Sequence, residues 1–228
     1  APSLHVEVAD EGRQHQVVST FLLLLKFLSS RWGATDLLAL VESEPIRLRL
    51  ALTDDELDWF SQALGLLGFR WGATAQAVAE RGGVVRTSAS LEQGLHRLLA
   101  SLVLPVTTVW DGDSANLDID PGAEVPGRLM RWLRQLLSFH QLSASSHSAS
   151  SWRSLLQALV ANTLAVDYGD ERGAEALDQL QSAVAWLGFL GDGLAIDETL
   201  DWAAVASALR WRLNTRPTLP PSLAGGIA

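Results

Sequence analysis

Between Phe21 and Leu28 the chain reads Phe-Leu-Leu-Leu-Leu-Lys-Phe-Leu, with Lys26 the one polar residue in eight. A bilayer span takes about 20 apolar residues, so this run has to be buried by the chain's own packing. Val17, Phe21, Leu24, Leu25 and Leu28 recur at helical spacing, and Leu22, Leu23 and Phe27 widen that face. A helix over about 13–28 that is apolar on so much of its circumference belongs at the centre of a core. Lys26 can lay its stem along that core and keep its ammonium in water.

The rest of the chain supplies further helices with their own stops. Thr35 is suited to cap a short helix over 36–42, with Asp36 at its positive end. Pro45 can open the next helical turn. Thr53-Asp-Asp-Glu56 is a capping box, and the helix it starts presents Leu57, Phe60, Leu64 and Leu67 before Gly68 stops it; Gly65 inside weakens it. Residues 73–89 read as a short helix and a loop. Ser90-Leu-Glu-Gln93 repeats the capping-box pattern and opens a helix to about Leu104, stopped by Pro105.

The segment 105–127 reads as a turn-rich acidic loop. It carries Pro105, Pro121 and Pro126, the acids Asp111, Asp113, Asp118, Asp120 and Glu124, and no basic residue. From Pro126 a helix runs to about Leu142, with Leu129, Leu133, Leu136, Leu137 and His140 inward and Arg128, Arg131 and Arg134 on another side. The serine-rich stretch 143–151 reads as a flexible connector, with Ser150 or Ser151 capping a helix over 152–164. Helices over 171–190 and 198–213 follow, separated by a Gly191-Asp-Gly193 turn. Arg216-Pro217 ends the last one. The alternating Leu4-His-Val-Glu-Val8 predicts a short strand ahead of the first helix. The length of 228 residues suits one large domain or two small ones. The pattern is read as one mostly helical domain over 1–228, with a possible division into 1–104 and 126–216 joined by the acidic loop 105–125.

Composition excludes several chemistries. The absence of cysteine removes disulfides and thiolate metal sites. Lys26 is the only lysine and lies between Leu25 and Phe27, so neither a phosphate-cradling Gly-Lys-Ser/Thr loop nor a nuclease site that needs a lysine beside its carboxylates is complete here. The five histidines, His5, His15, His96, His140 and His147, lack metal-ligand spacing. Asp111-Gly-Asp113 starts like a calcium loop, but Ala115, Asn116 and Gly122 stand where an oxygen ligand, a glycine and a glutamate are needed. No G-x-S-x-G elbow occurs. The first 16 residues are mixed and polar, unlike a secretory signal.

A net charge of −9 opposes non-specific binding to a phosphate backbone, so any contact with DNA has to use a local patch. Nine tryptophans could stack on bases. Trp59, Trp132, Trp152, Trp186, Trp202 and Trp211 all fall within helical patterns, which favours burial in a core or interface. Arg70, between Phe69 and Trp71, is expected to lock two helices through a carboxylate or carbonyls.

Several pieces, in order, resemble the middle helical region of the gamma subunit of bacterial exodeoxyribonuclease V, the RecC-type proteins. They are Leu4 to Asp10; Phe21 to Leu28; Ser30-Arg-Trp32-Gly-Ala34; Leu37 to Leu40 with Glu42-Ser-Glu-Pro45; and Gly68-Phe-Arg-Trp-Gly72, close to the family's Gly-Ile-Arg-Trp-Gly. Gly94 to Leu99, Ser150 to Leu156 and Leu223 to Ile227 continue the series. Similarity is strongest in the first hundred residues, and the acidic loop and serine run are this chain's own.

The resemblance implies a helical insertion, a 2B-type subdomain, within a superfamily-1 helicase fold that has lost its ATPase residues. Short strand tails at both ends would bring Leu4 and Ile227 close together. It implies a non-catalytic gamma subunit that helps split and channel DNA in double-strand-break repair. Its partners would be a beta subunit with motor and nuclease, an alpha subunit with a second motor, and DNA within the complex, in the bacterial cytoplasm and without a membrane. No cofactor is expected in this segment; ATP and magnesium would serve the partner subunits of an ATP-dependent exodeoxyribonuclease. A 2B-like domain of an active helicase or AddB-like subunit, or a stand-alone helical interaction module, remain alternatives. No catalytic, cofactor or metal residue is expected. Arg128, Arg131, Arg134, Arg153, Arg210 and Arg212 are the candidate contacts to DNA or partners, and Trp32, Arg70 and Trp71 are structural candidates.

Overall fold

The computed structural model describes residues 15–82, 90–103, 109–110, 113–114, 124–194 and 199–214. The proposed strand tails, Leu4 and Ile227 lie outside them, as does most of the calcium-like segment. The described residues are mostly helical. The first six helices are α1 (Gln16–Leu28), α2 (Ala34–Val41), α3 (Glu44–Leu50), α4 (Asp54–Leu66), α5 (Ala75–Glu80) and α6 (Leu91–Val103). After the two-residue strands β1 (Val109–Trp110) and β2 (Asp113–Ser114) come α7 (Glu124–Ser143), α8 (Ala149–Thr163), α9 (Glu171–Leu194) and α10 (Trp202–Asn214).

Helix α1 is central. Phe21, Leu24 and Leu25 have no exposed surface, and Lys26 is exposed. α1 packs against α2, α3, α9 and α10, while α8 lies along α9 and also meets α3 and α7. One apolar cluster runs from Val17 to Leu209 and takes side chains from both sides of the 105–125 segment. At about 25 cal/mol per Å² of apolar surface removed from water, such burial is the main stabilising contribution.

The capping boxes form. Thr53 Oγ1 accepts the Glu56 N–H, and Glu56 Oε2 accepts the Thr53 N–H at 2.8 Å. Ser90 and Gln93 make the same reciprocal pair at the start of α6. Gly68 ends the α4 segment with φ of +70°, a left-handed conformation that suits glycine.

Five boundaries differ from the sequence expectation, the first being α10, which starts at Trp202 rather than near Glu198 because Leu200 is taken up in the bridge to His147. α2 starts at Ala34 with Gly33 as N-cap, because Gly33 is held in extended conformation by pairing with Trp71. The 105–127 segment contains the β1–β2 hairpin, and α7 starts ahead of Pro126, whose missing N–H is harmless in a first helical turn. The serine-rich connector is structured: His147 pairs with Leu200, and Ser148 rather than Ser150 or Ser151 caps α8. α9 runs through Gly191 to Leu194, since glycine weakens a helix without necessarily ending it.

Candidate functional site

Around Trp32 the backbone does the fastening. The Gly72 N–H donates to the carbonyls of Arg31 and Trp32 at 2.9 and 3.0 Å, and the Ala34 N–H donates to the Arg70 carbonyl at 3.0 Å. The first free N–H groups of α6, on Leu91 and Glu92, donate to Gly72 and Ala73. Trp32 fills the centre, 1% exposed, 4.7 Å from the Phe27 ring and 5.0 Å from the His140 ring. It sits at φ of +59°, and its buried indole N–H has no acceptor. Arg70 departs from expectation. Its guanidinium is exposed and has no partner among the described residues, so the side chain does not lock helices; its carbonyl does. Trp71 is half-buried and pairs with Gly33.

The candidate arginines separate into two groups. Arg210 donates to the Leu25 carbonyl at 3.0 Å and to Ser29 Oγ, placing a cation at the negative end of α1. Arg153 lies across Gly188, where a Cβ would come within 2.7 Å of its Nη1. Arg212 stands 5.7 Å over the Trp186 ring. Arg128 pairs with Glu56 at 2.7 Å, tying α7 to the cap of α4. Arg210, Arg212 and Arg128 are thus engaged within the chain, and Arg153 packs over Gly188. Arg131 and Arg134 are exposed, with no carboxylate within ion-pair distance among the described residues.

Arg131 belongs to two neighbouring clefts along α7. One, of about 290 Å³, is lined by Arg49 and Leu50 of α3, Arg128, Arg131, Trp132 and Gln135 of α7, and Asn162 of α8. The other, of about 430 Å³, includes Met130, Arg131, Arg134, Gln135 and Ser138. Arg131 and Gln135, one helical turn apart, form the ridge between them. Sequence reasoning missed Arg49, Gln135 and Asn162. No spacing rule could have joined them to Arg131, because the packing of α3 and α7 against α8 brings them together.

His140 is half-buried beside Trp32, and burial lowers its pKa below the ordinary 6.5; the Arg81 charge acts in the same direction and Glu80 opposes it. Among the described residues no group of three or more His, Asp or Glu could hold a metal ion, and no helix is long and apolar enough to cross a membrane. Trp132 and Trp152 are buried within helices, as their pattern predicts, but Trp211 is 60% exposed.

Residues 14–217 match the family model of the RecBCD enzyme subunit RecC fourth domain. The chain belongs to this family. It is 23% identical over 214 residues to the RecBCD enzyme subunit RecC of Haemophilus influenzae, an alignment covering 92% of this chain and 18% of that protein. The chain therefore spans less than a fifth of the length of that RecC relative. The RecC fourth-domain match includes the Trp32–Gly72 region and both α7 clefts.

Proposed function

We propose that the chain is part of a non-catalytic gamma subunit of an exodeoxyribonuclease V complex, where it forms a helical wall beside the DNA that the complex splits and channels during double-strand-break repair. The RecC fourth-domain match across residues 14–217 is the observation that carries this reading. The exposed arginines on α7 are consistent with it. In this reading the 228 residues act as one unit of 2B type, inserted in a helicase-like fold with strand tails at both ends. ATP and magnesium act on the beta and alpha subunits, in the cytoplasm.

The test uses the full-length gene product. Co-expression with the beta and alpha subunits encoded in the same genome should give a stable three-subunit complex that unwinds and degrades blunt-ended duplex in the presence of ATP. Failure of the three proteins to copurify would overturn the assignment. A full-length product that hydrolyses ATP by itself would instead favour the active-helicase alternative.

A further inference from the structure

We propose that the cleft between α3, α7 and α8 binds a backbone phosphate of a single DNA strand, with Arg49 and Arg131 as its two anchors. This rests on the reading of the chain as part of a DNA-handling subunit. It adds a defined position, a ligand group and a residue, Arg49, that neither family membership nor sequence pattern supplies.

The whole chain carries −9, yet this cleft is lined by three arginines and two amides, with no carboxylate among its lining residues. Glu56 neutralises Arg128, whereas Arg49 and Arg131 have no acidic partner among the described residues. The cleft also holds unsatisfied donors. Arg128 Nε–H and Trp132 Nε1–H are buried without an acceptor, and both residues line the cleft. A buried donor without a partner costs about 1–3 kcal/mol, and the two N–H dipoles favour negative charge nearby.

The shape selects a phosphodiester. A planar carboxylate is satisfied by the fork of one arginine, while a tetrahedral phosphate accepts from several directions, as donors on three helices require. A volume of about 290 Å³ admits one phosphate with part of its sugar. The neighbouring cleft, sharing Arg131 and adding Arg134, lets the strand continue along α7. Phosphate contacts position a strand without reading its sequence, so the cleft acts as a guide.

The test is made in the assembled complex with a forked duplex bearing a labelled oligothymidine tail. The Arg49→Gln/Arg131→Gln double variant should bind roughly tenfold more weakly, and its log K against log salt slope should fall by about 0.7, the share of one single-strand phosphate. A tail with neutral methylphosphonate linkages should abolish the difference from wild type. Arg172→Gln, a charge change at an exposed residue of α9, should leave binding unchanged. A photo-crosslinking amino acid at Gln135 should label the tail.

Affinity within twofold of wild type in the double variant, an equal loss in Arg172→Gln, or crosslinks to protein alone would each overturn the proposal; the last would mark the cleft as a partner-subunit contact. If the wild-type complex binds the fork and only the cleft variant is silent, the subunit assignment survives. If the wild-type complex neither assembles nor binds, both readings fall.

Discussion

Two clasps hold this fold, and they are built differently. Each is a β-bridge of one residue pair with a buried tryptophan beside it: Gly33 with Trp71 over Trp32, and His147 with Leu200 over Trp152. In the first, backbone groups make the bonds across the bridge while Trp32 holds a left-handed φ and an unsatisfied indole N–H. In the second, the Trp152 indole donates to the Leu200 carbonyl at 2.8 Å, and Trp202 packs 5.7 Å away with its own indole donating to Ser29 Oγ at 3.1 Å. The second clasp thus also fastens α10 to the end of α1. The contrast teaches that a buried tryptophan can fasten a fold as a donor or fill it as a space-holder at a local cost.

The largest expected effect breaks the clasps themselves. Trp152→Ala and Trp32→Ala should each lose about 3–5 kcal/mol in urea unfolding, as is usual for large core truncations. The Trp152 change should cost more, by about 1 kcal/mol, because it also removes a made hydrogen bond, whereas the Trp32 change removes an unmade one. Equal losses would mean that the indole bond to Leu200 contributes nothing.

The next effect isolates the first clasp. Gly72 has φ of +91°, and a Cβ there would overlap Val78 Cγ2. Gly72→Ala therefore combines backbone strain with a clash that pushes α5 away, and should cost at least about 1–3 kcal/mol in the same measurement. A urea midpoint equal to that of wild type would show that the turn relaxes freely and that the clasp is not tight.

These two regions also differ in how far they were legible. The central α1, the capping boxes at Thr53 and Ser90, and the inward leucines of α7 follow from residue spacing, because helices are set by local signals. The Ser-Arg-Trp-Gly and Gly-Phe-Arg-Trp-Gly pieces could be recognised as a family pattern, but the exposure of Arg70 and the left-handed Trp32 could not, since both depend on which distant backbone they meet. The serine run carried the wrong local signal: its composition suits a flexible connector, and only pairing with Leu200, far along the chain, structures it. The α7 clefts were half legible. Arg131 and Arg134 stand out on a helical wheel, while Arg49 joins Arg131 only through tertiary packing.

The smallest expected effect uses His140 as a reporter on the first clasp. Burial, aided by Arg81, favours the neutral ring and sets its pKa below 6.5 in the folded chain. The unfolded chain then takes up a proton near pH 6.5 that the folded chain takes up only at lower pH. The stabilising contribution is full above pH 6.5, declines as the pH falls through the folded pKa, and is constant below it. Urea unfolding on either side of pH 6.5 should show this loss in wild type. His140→Asn should flatten that part of the pH profile, and Arg81→Gln should shrink it, since the ring then protonates more readily. An identical profile in wild type and His140→Asn would mean that the ring beside Trp32 is solvated in solution, and that the first clasp opens more readily than the second.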